Sequence, residues 1–366
     1  MTQPRCILIA AGGTGGHLFP AQALADALAL RGMPVELATD DRALKFGGAF
    51  PARAIHLFPS ATPTGAGALS KASAAAILGR GFVAALLKMR KINPLAVVGF
   101  GGYPTVPPLL AASLLGYPTI LHDANAVMGR ANRFLSRRVR WIATGFPEIN
   151  GVDPAMKGKL RYTGNPVRPA VIAAAAIAYP DFADGRLRVL ITGGSQGARI
   201  MADIAPAAIA LLSEADRARI RLTLQARGED LLRVAAACAR LAFPVEVREF
   251  FADLPARIAG SHLVIGRAGA STVSELAVIG RPSILVPFPH ALDQDQAANA
   301  ATLAANGGAE VVMQPAFTPE RLAGMLRKAL ADPAALAKAA EAAKSAGVAD
   351  AAERLAEIVI EAGKHA

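Results

Sequence analysis

Apolar residues in this chain gather in short unbroken runs, each closed by a glycine-rich turn and followed by a longer stretch with helical spacing. Residues 6–10 (Cys-Ile-Leu-Ile-Ala) are too few for a helix and lack polar alternation, which is the pattern of a strand buried on both faces. They lead into Gly12-Gly13-Thr14-Gly15-Gly16-His17, and a helix is predicted over residues 20–30, with Pro20 in its first turn and Leu24 and Leu28 on one face. Further strands are predicted at 35–39, 96–100 and 119–122, with helical segments between them. The pattern then restarts. Residues 188–192 form a strand, Gly193-Gly194-Ser195-Gln196-Gly197 a turn, and an Ala-rich helix begins at Ala198. Strands at 221–225, 245–249, 262–265 and 283–286 complete the second series.

Such alternation predicts an α/β chain of two Rossmann-like doubly wound domains, with parallel sheets facing a cleft. The glycine turns at Gly12 and Gly193 each open one half. The predicted domains are residues 1–165 and 166–344, joined near Thr163-Gly164-Asn165-Pro166. An Ala/Glu/Lys-rich tail follows Pro333, and its end, about residues 345–366, is expected to pack back on the first domain as a helix.

Composition narrows the classes. The 366 residues are 53% hydrophobic and 18% charged, which excludes a disordered chain and supplies material for two cores. The net charge is +11 and is unevenly placed: residues 1–165 hold 18 Lys and Arg against 7 Asp and Glu, whereas residues 166–366 hold 21 of each. A one-sided positive field suits an anionic partner, whether phosphorylated substrate, lipid surface or nucleic acid. Cys6 and Cys238 provide neither a disulfide framework nor metal-ligand spacing and read as small core residues. The first apolar run is too short for a signal peptide. Residues 92–121 carry no formal charge, yet their five prolines and four glycines exclude a plain spanning helix, so membrane contact is expected from the side.

The run Gly12 to His17 has the chemistry of an anion cradle, because glycines let backbone N–H groups and a helix start approach phosphate oxygens. It lacks the Lys-Ser/Thr ending of a P-loop, and Leu18 stands where the dinucleotide fingerprint needs a third glycine. Asp40 and Asp41, after the second strand, would suit a ribose and keep an oxidoreductase open as a rival. His17 is placed to accept a hydroxyl proton near neutral pH, or else to orient the loop. Gly99-Phe100-Gly101-Gly102-Tyr103-Pro104 and His122-Asp123-Ala124-Asn125 should reach the same rim. In the second half, the run Gly266-Arg267-Ala268-Gly269-Ala270-Ser271-Thr272-Val273-Ser274-Glu275 follows a strand and opens a helix, which makes it another candidate diphosphate seat. Thr272 and Glu275 have capping-box spacing, and Glu275 equally suits a ribose diol. In Asp293-Gln294-Asp295 the first residue reads as an N-cap rather than a metal ligand, and no metal is assigned. Gln296 and Asn299, one turn apart, are expected to face a ligand together. Residues 69–91 interleave Ile77, Leu78, Phe82, Val83, Leu86 and Leu87 with Lys71, Arg80, Lys88, Arg90 and Lys91, which fits an anionic lipid surface or a buried helix with basic ends. Aromatics for base stacking are absent there, which disfavours nucleic acid.

Taken in order, the Gly12 to His17 run with Pro20-Ala21, the Gly99 to Pro104 run, Thr163-Gly164-Asn165-Pro166-Val167-Arg168, the Gly193 turn, and Gly269 to Glu275 with Gln296 and Asn299 resemble the GT-B glycosyltransferases of peptidoglycan synthesis that act on undecaprenyl-diphospho-muramoylpentapeptide. The resemblance spans nearly the whole chain. It implies inverting transfer of N-acetylglucosamine from UDP-N-acetylglucosamine to the C4 hydroxyl of the muramoyl sugar of lipid I, giving lipid II, at the cytoplasmic face of the bacterial inner membrane. It implies no cofactor, no nucleic acid, and as partners an anionic membrane surface and other cell-wall synthesis proteins. By this resemblance Ser195 and residues Ala270, Ser271, Thr272, Val273, Ser274 and Glu275 take the donor's diphosphate and ribose, Phe251 lies by the uracil and Gln296 by the sugar. Thr14, Gly15, Gly16, Asn125 and Arg168 complete the donor set, Gly13, Gly101, Gly102 and Tyr103 serve the acceptor, and His17 is the base. Asp123, Ala124 and Asp295 depart from the family's usual residues. Rival readings are a sugar-nucleotide epimerase of the same fold, the oxidoreductase, and a basic binding module without turnover.

Overall fold

The computed structural model describes residues 4–12, 15–41, 50–62, 68–194, 197–241, 243–291 and 294–364. The chain divides into two compact units, Met1–Arg168 with Ala349–Ala366, and Pro169–Val348.

The first unit is built on seven parallel strands: β1 (Ile7–Ala10), β2 (Val35–Thr39), β3 (Ala54–Leu57), β4 (Ala96–Gly99), β5 (Thr119–Asp123), β6 (Trp141–Thr144) and β7 (Leu160–Tyr162). They lie in the order β3-β2-β1-β4-β5-β6-β7. β1 pairs with β2 on one side (Ile7 opposite Val35) and β4 on the other (Ile7 opposite Ala96), so the order reverses there. In open parallel sheets this switch point at the carboxyl ends is where ligands bind. Helices α1 (Gly15–Ala29), α2 (Ala68–Ile92), α3 (Val106–Leu114) and α4 (Arg130–Leu135) cover the sheet.

Helix α1 starts at Gly15, five residues before the predicted start, and takes in His17; Pro20 lies inside it. Gly15 permits this start, since a Cβ there would lie 3.1 Å from the Phe19 ring. Helix α2 buries Ala74, Ala85 and Met89, while Leu69, Val83 and Leu87 are exposed. Its segment Leu69–Ile92 is, among the described residues, the one helix long and apolar enough to cross a membrane, and only 22% of its most apolar window is buried. It packs on α3, and a Cβ at Gly81 would collide with the Pro59 carbonyl.

The second unit repeats the plan with β8 (Leu187–Thr192), β9 (Ile220–Gln225), β10 (Val245–Arg248), β11 (Leu263–Gly266), β12 (Ser283–Leu285) and β13 (Ala309–Val311), in the order β10-β9-β8-β11-β12-β13. Its helices are α5 (Pro169–Ala175), α6 (Arg199–Ala210), α7 (Glu214–Ala218), α8 (Gly228–Arg240), α9 (Leu254–Ala259), α10 (Ala270–Ile279), α11 (Asp295–Ala305), α12 (Pro319–Ala331) and α13 (Pro333–Ser345). Arg281 is 1% exposed and is satisfied by carbonyls of Ala259, Ile279, Gly280, Ile177 and Ala178, which ties the segment after α5 to the helix ends around α10.

Helix α14 (Ala351–Lys364) belongs to the first unit, where Leu355, Ala356, Val359 and Ala362 join Ile7, Ile9 and Val98 in one core. Cys6 and Cys238 are buried and unpaired, and burial pushes the Cys6 thiol up to about 11.

Candidate donor and acceptor sites

At the carboxyl rim of the first sheet, the turn after β1 and the turn after β4 close on one imidazole. His17 is the third residue of α1, and its Nδ1 lies 3.3 Å from the Gly12 carbonyl oxygen. A carbonyl only accepts, so this bond puts the proton on Nδ1 and makes Nε2 the basic nitrogen of the ring. Gly101 and Gly102 have φ of 86° and 72°, the left-handed region that glycine enters without strain. They let the backbone press against the ring: a Cβ on Gly102 would lie 3.3 Å from Cε1, and one on Gly101 3.5 Å from Nε2. Burial lowers the His17 pKa below its usual 6.5, with the Gly12 carbonyl opposing, so the imidazole is neutral at pH 7.

Behind it lies His122, fully buried, with Nε2 donating to the Gly164 carbonyl at 3.3 Å. Burial drives its pKa down to about 4, and repulsion from His17 adds to this, so it too stays neutral. Asp123 shapes the loop that follows. Its Oδ1 accepts from the Asn125 N–H at 3.2 Å, and its Oδ2 accepts from the Gly129 N–H at 2.9 Å and from Asn132 Nδ2 at 3.0 Å. Asn132 also donates to the His122 carbonyl at 3.2 Å, and its Nδ2 would lie 3.4 Å from a Cβ on Gly101. The shorter acid at position 123 therefore works as a loop former, and through Asn132 it backs the glycines that face His17. No sequence motif marked Asn132.

Of the other residues expected here, Gly15 is buried, Gly16 exposed, and Asn125, Tyr103 and Arg168 half-buried. The Arg168 guanidinium stacks over the Phe19 ring at 4.5 Å, within the first unit. Asp40 is 5% exposed and accepts from Ser60 Oγ at 3.1 Å. Gly13 and Thr14 lie outside the described residues.

In the second unit the clearest anion seat is the start of α10. Its N-cap is Gly269, which has no side chain to satisfy the first N–H groups of the helix. Thr272 is therefore the third residue of α10 and Glu275 the sixth, so the two do not form the capping box their spacing allowed. Glu275 is 6% exposed, and the Ser271 hydroxyl is buried without a hydrogen-bond partner among the described residues. A helix start without a side-chain cap, a buried hydroxyl and a helix dipole together suit phosphate oxygens.

Asn299 is fully buried and donates to the Ala268 carbonyl at 3.1 Å, holding the loop before α10. It does not face a ligand together with Gln296 as the one-turn spacing suggested, because α11 buries that position against the loop. Gln296 is half-buried, and its Oε1 accepts from the Phe288 N–H at 3.0 Å, which leaves its NH2 to donate. Helix α11 starts at Asp295 after Gln294 in the N-cap position; Asp293, expected as that cap, lies outside the described residues, as do Ser195 and Gln196. Phe251 is 4% exposed with the Arg257 guanidinium 4.4 Å over its ring, so its backbone is the part that can meet a base. Arg267, given no role by the motifs, donates to the Val286 and Pro287 carbonyls and to Gln314 Oε1 at 2.6 Å. Among the described residues no group of three or more His, Cys, Asp or Glu side chains could hold a metal ion.

Two Rossmann-like units, each with its switch-point turns built from glycine and a helix start, define the fold as GT-B, and sequence likeness gives the class within it as glycosyltransferase. Residues 7–144 match the glycosyltransferase family 28 N-terminal domain and residues 188–355 the family 28 C-terminal domain, and the chain belongs to that family. A relative from Methylobacterium radiotolerans is 58% identical over 357 residues, 97% of each chain, and one from Nitrobacter hamburgensis 53% identical over 100% of this chain and 99% of its own. Both are named UDP-N-acetylglucosamine–N-acetylmuramyl-(pentapeptide) pyrophosphoryl-undecaprenol N-acetylglucosamine transferase. Among solved structures, Acinetobacter baumannii MurG superposes with a TM-score of 0.78 at 28% identity, covering 98% of this chain and 100% of that one.

Proposed function

We infer that this chain transfers N-acetylglucosamine from UDP-N-acetylglucosamine to lipid I, making lipid II for peptidoglycan. The observation that carries this is identity of 53–58% along nearly the full chain with transferases named for that reaction. The site chemistry supports the same reading. In the second unit the N-terminus of α10, with the Ser271 hydroxyl, and the Gly193-Gly194 turn with Ser195 receive the diphosphate, Glu275 the ribose hydroxyls, the backbone at Phe251 the uracil, and Gln296 the sugar. In the first unit the Gly101-Gly102 turn serves the acceptor, and Gly15 and Gly16 at the start of α1 complete the donor set.

Nε2 of His17 takes the proton of the acceptor's C4 hydroxyl. That oxygen bonds to the anomeric carbon as the bond from this carbon to the diphosphate oxygen breaks, its electron pair leaving with UDP. Attack opposite the leaving group inverts the anomeric centre. Backbone N–H groups at α10 stabilise the charge that develops on the leaving phosphate.

The acceptor is a membrane lipid, and α2 has the character of an interfacial helix. One face is anchored in the core by Ala85 and Met89; the other exposes Leu69, Val83 and Leu87 beside Arg80, Arg90 and Lys91, and Lys71 and Lys88 are exposed at its flanks. We assign this face to an anionic lipid surface, approached peripherally. The direct test is the anomeric configuration of the product formed from UDP-N-acetylglucosamine and a short-chain lipid I analogue, read by proton NMR. A β1→4 linkage is expected, and an α linkage or an unmodified acceptor would overturn the assignment.

A further inference from the structure

The rim of the second sheet holds a side chain that the glycine motifs do not mark. Gln225 ends β9, is 7% exposed, and uses all four of its hydrogen-bonding positions. Its Oε1 accepts from Thr192 Oγ1 at 2.7 Å and from the Gly193 N–H at 3.2 Å. Its Nε2 donates to the Gly194 carbonyl at 3.2 Å and to the Glu249 carbonyl at 3.2 Å. Thr192 Oγ1 in turn accepts from the Gly194 N–H at 3.2 Å. The orientation of the amide is therefore fixed: turned over, it would set an NH2 against the Gly193 N–H and an oxygen against two carbonyls.

These partners belong to two separate loops. Gly193 and Gly194 open the turn after β8, which contains Ser195. Glu249 follows β10 and leads directly into Phe250 and Phe251. Gly193, Gly194 and Gly197, the described glycines of the first loop, bring no side chains to hold its shape. Gly194 has φ of 76°, and a Cβ on Gly193 would collide with the backbone N of Ala198. Its conformation is set by what its N–H and C=O groups bond, and Gln225 takes one of each.

We propose that Gln225 is a positioning residue that couples the diphosphate loop at Gly193-Gly194 to the base loop at Glu249–Phe251 and fixes the distance between them for a uridine diphosphate. This rests on the donor reading above. It also separates Gln225 from Thr192, because Thr192 reaches only the first loop.

The test is calorimetric titration of UDP and of uridine into the full-length protein and its Thr192→Val, Gln225→Glu and Gln225→Leu variants. With each hydrogen bond lost to a loop costing about fivefold in affinity, T192V, which gives up the Gly194 N–H, should weaken UDP roughly fivefold and leave uridine unchanged. Q225L should weaken UDP at least roughly twenty-five-fold and uridine roughly fivefold, since it frees both loops. Q225E keeps the acceptor atom but turns an oxygen towards two carbonyls, so it should weaken both ligands at least as much as Q225L. Uridine affinity within twofold of wild type in folded Q225E or Q225L would overturn the coupling, whatever happens to melting temperature. If Q225L does not fold, the contrast between T192V and Q225E decides. A wild-type protein that binds neither ligand would overturn the donor reading itself.

Discussion

Replacing His17 by Ala removes the one imidazole that both glycine turns of the first unit enclose. The Nδ1 bond to Gly12 at 3.3 Å fixes the tautomer, and burial holds the pKa below 6.5, so Nε2 is ready to accept a proton at neutral pH. At pH 7.5 a group of that pKa is more than about 90% neutral. A positioned base of this kind contributes about 10²–10⁴-fold, or about 3–5 kcal/mol of barrier. Wild-type kcat/KM should then be level between about pH 7 and 8.5 and fall tenfold per unit below the folded-state pKa of His17. His17→Ala should lose about 10²–10⁴ in kcat and lose that acidic limb, while UDP affinity by calorimetry stays within about threefold. A variant with turnover within threefold of wild type would remove His17 from the chemistry. One that is slow but keeps the acidic limb would move the titrating base elsewhere.

Glu275→Ala should weaken UDP and UDP-N-acetylglucosamine together by at least about tenfold, the cost of a lost charged hydrogen bond to a diol, as measured by calorimetry; unchanged affinity with a lowered melting temperature would make Glu275 purely structural. Charge reversal at Lys88, Arg90 and Lys91 should reduce flotation with phosphatidylglycerol vesicles by at least about tenfold at low salt, each cation being worth about 1 kcal/mol at the surface, and undiminished flotation would refute the α2 assignment. His122 carries a pH prediction on stability. It is fully buried with a pKa of about 4 against the usual 6.5, so between these values the unfolded chain binds the extra proton, and stability falls as pH falls. Denaturant unfolding should show about 3 kcal/mol less dependence on pH between 7 and 4 in His122→Gln than in wild type, and an equal dependence would contradict the neutral buried form.

What the sequence made legible was the part governed by local chemistry. Fully buried strands such as β1 and β8 announce themselves as apolar runs before glycines, and their neighbours β4 and β11 do the same. The strand β3 stayed hidden because its pattern is inverted: Ile55 and Leu57 are half-exposed, whereas His56 turns inward to Glu36 on β2 at 2.7 Å. β7 and β13 are three-residue edge strands, too short to stand out from the turns around them. In the candidate sites, glycine turns and His17 were visible because their chemistry is written in one stretch. The capping-box reading of Thr272 and Glu275 failed because the helix begins at Ala270, a boundary that glycine capping leaves unmarked. Asn132 and Gln225 were illegible as site residues, and so was the Ala268 carbonyl as the partner of Asn299, since these partners lie in backbone remote along the chain and only the packed sheet brings them together.

The account stands most directly on acceptor-dependent transfer. Purified protein is incubated with labelled UDP-N-acetylglucosamine, with and without a short-chain lipid I analogue, and with EDTA in parallel. The account predicts that label moves to the acceptor, one sugar per UDP released, with EDTA leaving the rate unchanged. UDP release at the same rate without acceptor would contradict it and favour an epimerase or hydrolase built on the same two sheets.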